Sequence, residues 1–127
     1  MDVLRFNGVW TGYLYKERVS MPYKQIYVYT TQYSDVFSGI LYEKTYKLKT
    51  SNLVRNEILG MINRNAIRFR QKIHQAEMTH KQTHFIGHFI HQTNKIEGDW
   101  RSSAGQTGSF NISPKGLSNL SILKLDR

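Results

Sequence analysis

Trp10-Thr11-Gly12-Tyr13-Leu14 states a five-residue phrase, apolar–x–Gly–x–apolar, that organises the chain. It returns as Phe37-Ser38-Gly39-Ile40-Leu41, Ile58-Leu59-Gly60-Met61-Ile62, Phe85-Ile86-Gly87-His88-Phe89 and Ile96-Glu97-Gly98-Asp99-Trp100. A weaker copy is Gln106-Thr107-Gly108-Ser109-Phe110. Residues two apart in a strand share a face, so each phrase puts apolar, glycine, apolar on one side. Mid-strand glycine weakens a sheet unless the sheet coils tightly or another backbone must come close. Its repetition predicts a small, sharply curved barrel with these glycines facing inward.

Working outward from the phrase, alternation places strands at about Gly8–Lys16, Tyr23–Thr30, Asp35–Glu43, Asn52–Ile62, Asn65–His74, Thr83–His91, Lys95–Arg101 and Gln106–Ile112. Turn-forming residues separate them: Ser20-Met21-Pro22, Thr31–Ser34, the basic stretch Lys44–Ser51, Asn63-Arg64 and the polar stretch Gln75–Gln82. Pro114 ends the last. The expected fold is all-β, an eight-stranded antiparallel up-and-down (meander) barrel over about residues 8–113. A tail follows over residues 114–127, in which Leu117, Leu120 and Leu123 suit a helical stripe and Leu123 and Leu125 suit a short strand.

With 127 residues the chain reads as one domain, residues 1–127, large enough to bury a core. The absence of cysteine excludes disulfides, zinc–cysteine sites and cysteine nucleophiles. The N-terminal residues do not read as a secretion signal, and no apolar run is long enough to span a bilayer, so a cytoplasmic protein without membrane association is expected. The formal charge of +9 is concentrated between Lys44 and Lys72, where Lys47, Lys49, Arg55, Arg64, Arg68 and Arg70 face a lone Glu57. Such a surface either attracts phosphate-bearing partners or serves as a solvated face.

Gly8-Val9-Trp10 resembles the Gly-x-Trp of the calycin superfamily, the lipocalin, fatty-acid-binding and avidin-type barrels. The strand count and repeated glycines look nearer to the avidin type. The resemblance implies that Gly8 and Trp10 form a structural plug at one barrel end. It also implies a basic residue from the last strand packed on the tryptophan; Gln106–Ile112 has none, and Lys115 is the nearest substitute. No biotin-type pocket matches residue by residue.

With Trp10 at the closed end, the longer connections gather at the opposite end and mark a mouth. Inward parity carried upward brings Lys16, Lys24, Glu43, Asn56, Gln71, Ser102 and Gln106 to its rim, above Phe69, Phe85 and Trp100. Polar groups over an apolar floor suit a small molecule: the lysines for an anionic group, the amides for hydrogen bonds, an aromatic ring for stacking. An eight-stranded barrel is equally able to fill its interior with its own side chains.

Outward parity places Tyr13, Tyr15, Tyr27, Tyr29 and Tyr42 on one wall, the expected surface of a homo-oligomer, dimer or tetramer. His84 and His88 stand roughly 13 Å apart in a strand, so neither a shared metal nor a cofactor is expected. Only Glu43 aims a carboxylate into the mouth, which argues against an enzyme. The expected function is non-enzymatic binding of a small molecule, anionic or nucleotide-like. The alternatives are nucleic-acid binding through the Lys44–Lys72 surface and an accessory protein that oligomerises without a ligand.

Overall fold

The computed structural model describes residues 4–45, 53–71 and 82–115. Eight strands run in order: β1 (Gly8–Lys16), β2 (Lys24–Tyr33), β3 (Val36–Thr45), β4 (Val54–Asn63), β5 (Ala66–Gln71), β6 (Thr83–Ile90), β7 (Lys95–Ser102) and β8 (Thr107–Pro114). Each is antiparallel to the next, and β8 pairs with β1 to close the barrel. The meander read from the alternation is therefore the fold the chain adopts. The tail beyond Lys115, most of the Lys44–Ser51 connection and most of the Gln75–Gln82 connection lie outside the described residues.

Several boundaries shift by one to three residues, and those of β2 have a physical reason. β2 continues through the polar residues Thr31 and Gln32, and the turn shrinks to Ser34-Asp35. Ser34 has a left-handed φ of 57°, as a mirror-image hairpin turn requires at its first position. Arg64, with φ of 59°, begins the β4–β5 turn in the same way. At the other end of β2 the strand starts at Lys24, leaving Tyr23 in the β1–β2 connection.

The glycines explain the curvature. Gly12 alternates with the buried Trp10 and Leu14 on the inward face of β1. A methyl group there would lie 1.7 Å from the Asn111 carbonyl oxygen across the β1–β8 seam, so only a residue without Cβ lets the strands coil this closely. Along one row of register partners, Trp100, Phe85, Phe69, Gly60 and Phe37 descend through the interior on β7, β6, β5, β4 and β3. The Phe37 ring occupies the space a Gly60 side chain would need, 2.2 Å from the position of its Cβ.

Rings fill the lower and middle barrel. Phe69 and Phe85 stack at 4.5 Å and 9°, Phe110 meets Phe85 edge-on at 5.3 Å, and Phe37 meets Phe69 at 6.0 Å. Each fully buried aromatic contributes about 2–3 kcal/mol of hydrophobic stabilisation. The closed end holds Trp10 as expected, and a second ring with it: Phe6 is fully buried, 5.0 Å from Trp10 and 4.9 Å from Phe37. Gly8 makes this possible, because its φ of 104° turns the preceding segment across the barrel end. Gln32 clamps that segment, accepting from the Phe6 N–H at 2.6 Å and donating to the Leu4 carbonyl at 3.0 Å. The Thr30 hydroxyl donates to the Phe6 carbonyl. Lys115 does not take the basic position on Trp10; its ammonium lies 4.6 Å over the Tyr27 ring on the outer wall. Phe6 packs against the indole in this structure.

Candidate functional site

Above the Phe69–Phe85 stack the interior turns polar. Lys24 at the start of β2 and Glu43 near the end of β3 meet with Nζ and Oε1 2.5 Å apart, both side chains largely buried. Burial lowers the lysine's proton affinity, but the hydrogen bond and charge of Glu43, with a smaller contribution from Tyr23, more than offset it. The ammonium is held above its ordinary value of 10.5. The pair is thus a fixed donor and acceptor at the barrel end.

Tyr23 covers this pair. Its backbone N–H donates to the Leu14 carbonyl at 2.7 Å, which anchors it at the top of β1. Its ring lies near-parallel to Trp100 at 6.4 Å and 26°, with the Lys16 ammonium 4.3 Å and the Lys24 ammonium 5.0 Å from its centroid. Both cations face the electron-rich surface of the ring. Trp100 is fixed in turn: its indole N–H donates to the Tyr15 carbonyl at 2.9 Å, and its ring lies over Gly108.

The other rim residues separate by role. Asn56 is half-buried on the inward face of β4, in register with Leu41. The Gln71 side-chain oxygen accepts from the Thr83 N–H at 3.2 Å and its carbonyl accepts from Gln82 at 2.6 Å, so it stitches β5 to β6 at the rim. The buried Ser102 hydroxyl accepts from the Gln106 N–H at 3.2 Å, while Gln106 itself is exposed in the β7–β8 connection. Those two residues shape a turn. Phe69, Phe85 and Trp100 are buried beneath, and Lys16 is exposed at the rim. Sequence parity missed Tyr23 because starting strand two there turns it outward with Tyr27 and Tyr29, whereas it lies in the connection before β2. A tyrosine directly after Pro22, facing two lysines at strand ends, was the available signal.

On the outer wall Tyr13, Tyr15, Tyr27, Tyr29 and Tyr42 are half-buried, and Leu59 and Met61 beside them are exposed. Arg55, Arg64, Arg68 and Arg70 are exposed, whereas Lys47, Lys49 and Lys72 lie outside the described residues.

No protein-family model matches the chain, and no curated protein matches it. Solved structures do. A redesigned β-barrel matches with a TM-score of 0.65 at 6% identity, over 87% of this chain and 91% of that one. Apo shwanavidin matches with a TM-score of 0.59 at 14% identity, over 89% and 99%. A rhizavidin–biotin complex matches with a TM-score of 0.54 at 14% identity, over 88% and 95%. At such identities the likeness is one of fold alone: a closed eight-stranded antiparallel barrel, similar to those of the avidin-like structures.

Proposed function

We propose that this barrel binds a small molecule at the end away from Trp10 and does not transform it. The observation that carries the reading is the largely buried Lys24–Glu43 pair beneath the Tyr23–Trp100 rings. A fixed donor and acceptor under a flat aromatic lid select a ring-bearing amphipathic ligand. Two lysines against one glutamate leave a net positive rim, which favours an anionic or nucleotide-like end on that ligand. Because rings fill the barrel below, the ligand is confined to the layer above Phe85 and Phe110. Glu43, the carboxylate at this end, is committed to Lys24, which suits it to binding and not to proton transfer. The tyrosine wall, with Leu59 and Met61, is the proposed surface of a homo-oligomer.

The test is native mass spectrometry of freshly purified protein, followed by calorimetric titration of any molecule it carries. Biotin is the first added compound, since a complex with it is known for the rhizavidin fold relative. The expected result is one site per chain, weakened at least about tenfold by Glu43→Gln or Tyr23→Ala. Absence of any bound or titratable compound, or binding indifferent to both substitutions, would defeat the proposal.

A further inference from the structure

A concave site of about 800 Å³ lies on the outer wall, between the β1–β2 connection and the outer faces of β6, β7 and β8. That is within the size range of small-molecule sites. It opens outside the barrel, beside the mouth, and Lys16 and the buried Trp100 border both.

Its lining is chemically divided. Arg18, His84 and Arg101 bring donors, Asp99 brings a carboxylate, and Val19 and Ile86 are about half exposed within it. His84 is in register with Arg101 on one side and with Arg70 on the other, so three nitrogen-bearing donor side chains stand in a row across β5, β6 and β7. Among the described residues, neither Arg18, Arg70, Arg101 nor Asp99 has an ion-pair partner. An anion seated in the groove would supply Arg18 and Arg101 with a charge partner.

The groove's wall is also held in place. Glu17 donates its N–H to the Thr107 carbonyl at 3.2 Å and accepts from the Thr107 hydroxyl at 2.7 Å, which ties the connection to β8 and directs the Glu17 carboxylate to that contact. Val19 donates to the Lys16 carbonyl at 3.1 Å around Arg18, whose φ of 64° is left-handed. The turn that presents Arg18 is therefore built before a ligand arrives.

We propose that this groove binds a nucleoside monophosphate. Guanidinium forks from Arg18 and Arg101, with an N–H of His84, match the phosphate oxygens. Asp99, two residues from Arg101 on the same face, accepts from the sugar hydroxyls. Val19 and Ile86 supply the apolar surface for the base.

The test uses the full chain and adenosine 5′-monophosphate, with adenosine, ribose 5-phosphate and inorganic phosphate titrated separately by calorimetry and by amide NMR. Adenosine 5′-monophosphate is expected to saturate one site with a Kd of about 1 mM or tighter, and to shift the amides around Arg18, His84 and Arg101. Arg101→Ala weakens it about tenfold and leaves thermal stability intact, the residue being exposed. Asp99→Asn weakens adenosine 5′-monophosphate and ribose 5-phosphate but not inorganic phosphate. Amide shifts around Lys24 and Glu43 would report the mouth and those around Arg18, His84 and Arg101 the groove, so failure here is distinguishable from failure at the mouth. The proposal is overturned by a lack of saturation, by shifts spread evenly over Arg55, Arg64 and Arg68, or by binding of a single-stranded oligonucleotide without binding of the monophosphate.

Discussion

Substituting Gly12 by alanine adds one methyl group where there is no room for it. The new Cβ would lie 1.7 Å from the Asn111 oxygen, 2.7 Å from its carbonyl carbon and 2.8 Å from Ile112 Cα. All three are backbone atoms of β8, so no rotamer change relieves the clash. The strands must part locally by more than 1 Å, enough to carry ladder bonds beside the Gly12–Ile112 pair beyond hydrogen-bonding range. Two such bonds are worth about 1 kcal/mol each, and overpacking adds about 1–3 kcal/mol, for a loss of about 3–5 kcal/mol. At roughly 4 °C per kcal/mol for a chain of this size, Tm falls by about 12–20 °C. Gly105→Ala is the internal comparison: its φ of 91° is strained for alanine, but nothing lies within 4 Å. It costs about 1–2 kcal/mol, or about 4–8 °C. Thermal unfolding followed by circular dichroism measures both. If Gly12→Ala melts no lower than Gly105→Ala, the glycines do not govern barrel curvature.

Three further outcomes are expected. Phe6→Ala, which empties the space beside Trp10 and Phe37, lowers stability by about 3–5 kcal/mol in urea unfolding; a loss below about 1 kcal/mol would show that the closed end needs only Trp10. The raised proton affinity of Lys24 stabilises the fold fully below 10.5, and that contribution disappears as pH climbs through the higher folded-state value. Urea midpoints should therefore fall on the alkaline side of 10.5, with a smaller fall in Lys24→Met; parallel pH curves for the two proteins would refute this. Sedimentation should find an oligomer that Tyr42→Arg disperses, and a parent protein monomeric at high concentration would rule the tyrosine wall out as its interface.

The architecture was legible because curvature leaves a trace at every strand. Gly12, Gly39, Gly60, Gly87, Gly98 and Gly108 occupy the inward phase, and that phase sorted neighbouring residues correctly wherever alternation was uninterrupted. What escaped notice lies where it stops. Phe6 precedes β1 in a segment without periodicity, and only the bend at Gly8 reveals where its ring goes. Thr31 and Gln32 look like turn residues by polarity, yet Gln32 is needed as the clamp on Leu4 and Phe6, so the strand runs on. Lys115 has the right charge for the tryptophan but leaves β8 on the outside, against Tyr27. Ser102 and Gln106 follow the parity to the rim and are then used by the turn between β7 and β8. Strand phase predicts which way a residue points; it does not predict which neighbour claims its hydrogen bonds.

The seam between β1 and β8 has a kinetic corollary. Trp10 pairs with Pro114, and the Lys115 N–H reaches the Val9 carbonyl at 2.9 Å, contacts that join distant stretches of polypeptide. During synthesis the first hairpins are able to form early, but β1 presents an open hydrogen-bonding edge until the final strand has left the ribosome. Such late ring closure carries a large entropic barrier and makes folding slow relative to helical chains of equal length. Nascent copies crowded on one message are accordingly at risk of borrowing a neighbour's last strand, and β8 is the segment whose exchange would build a swapped dimer.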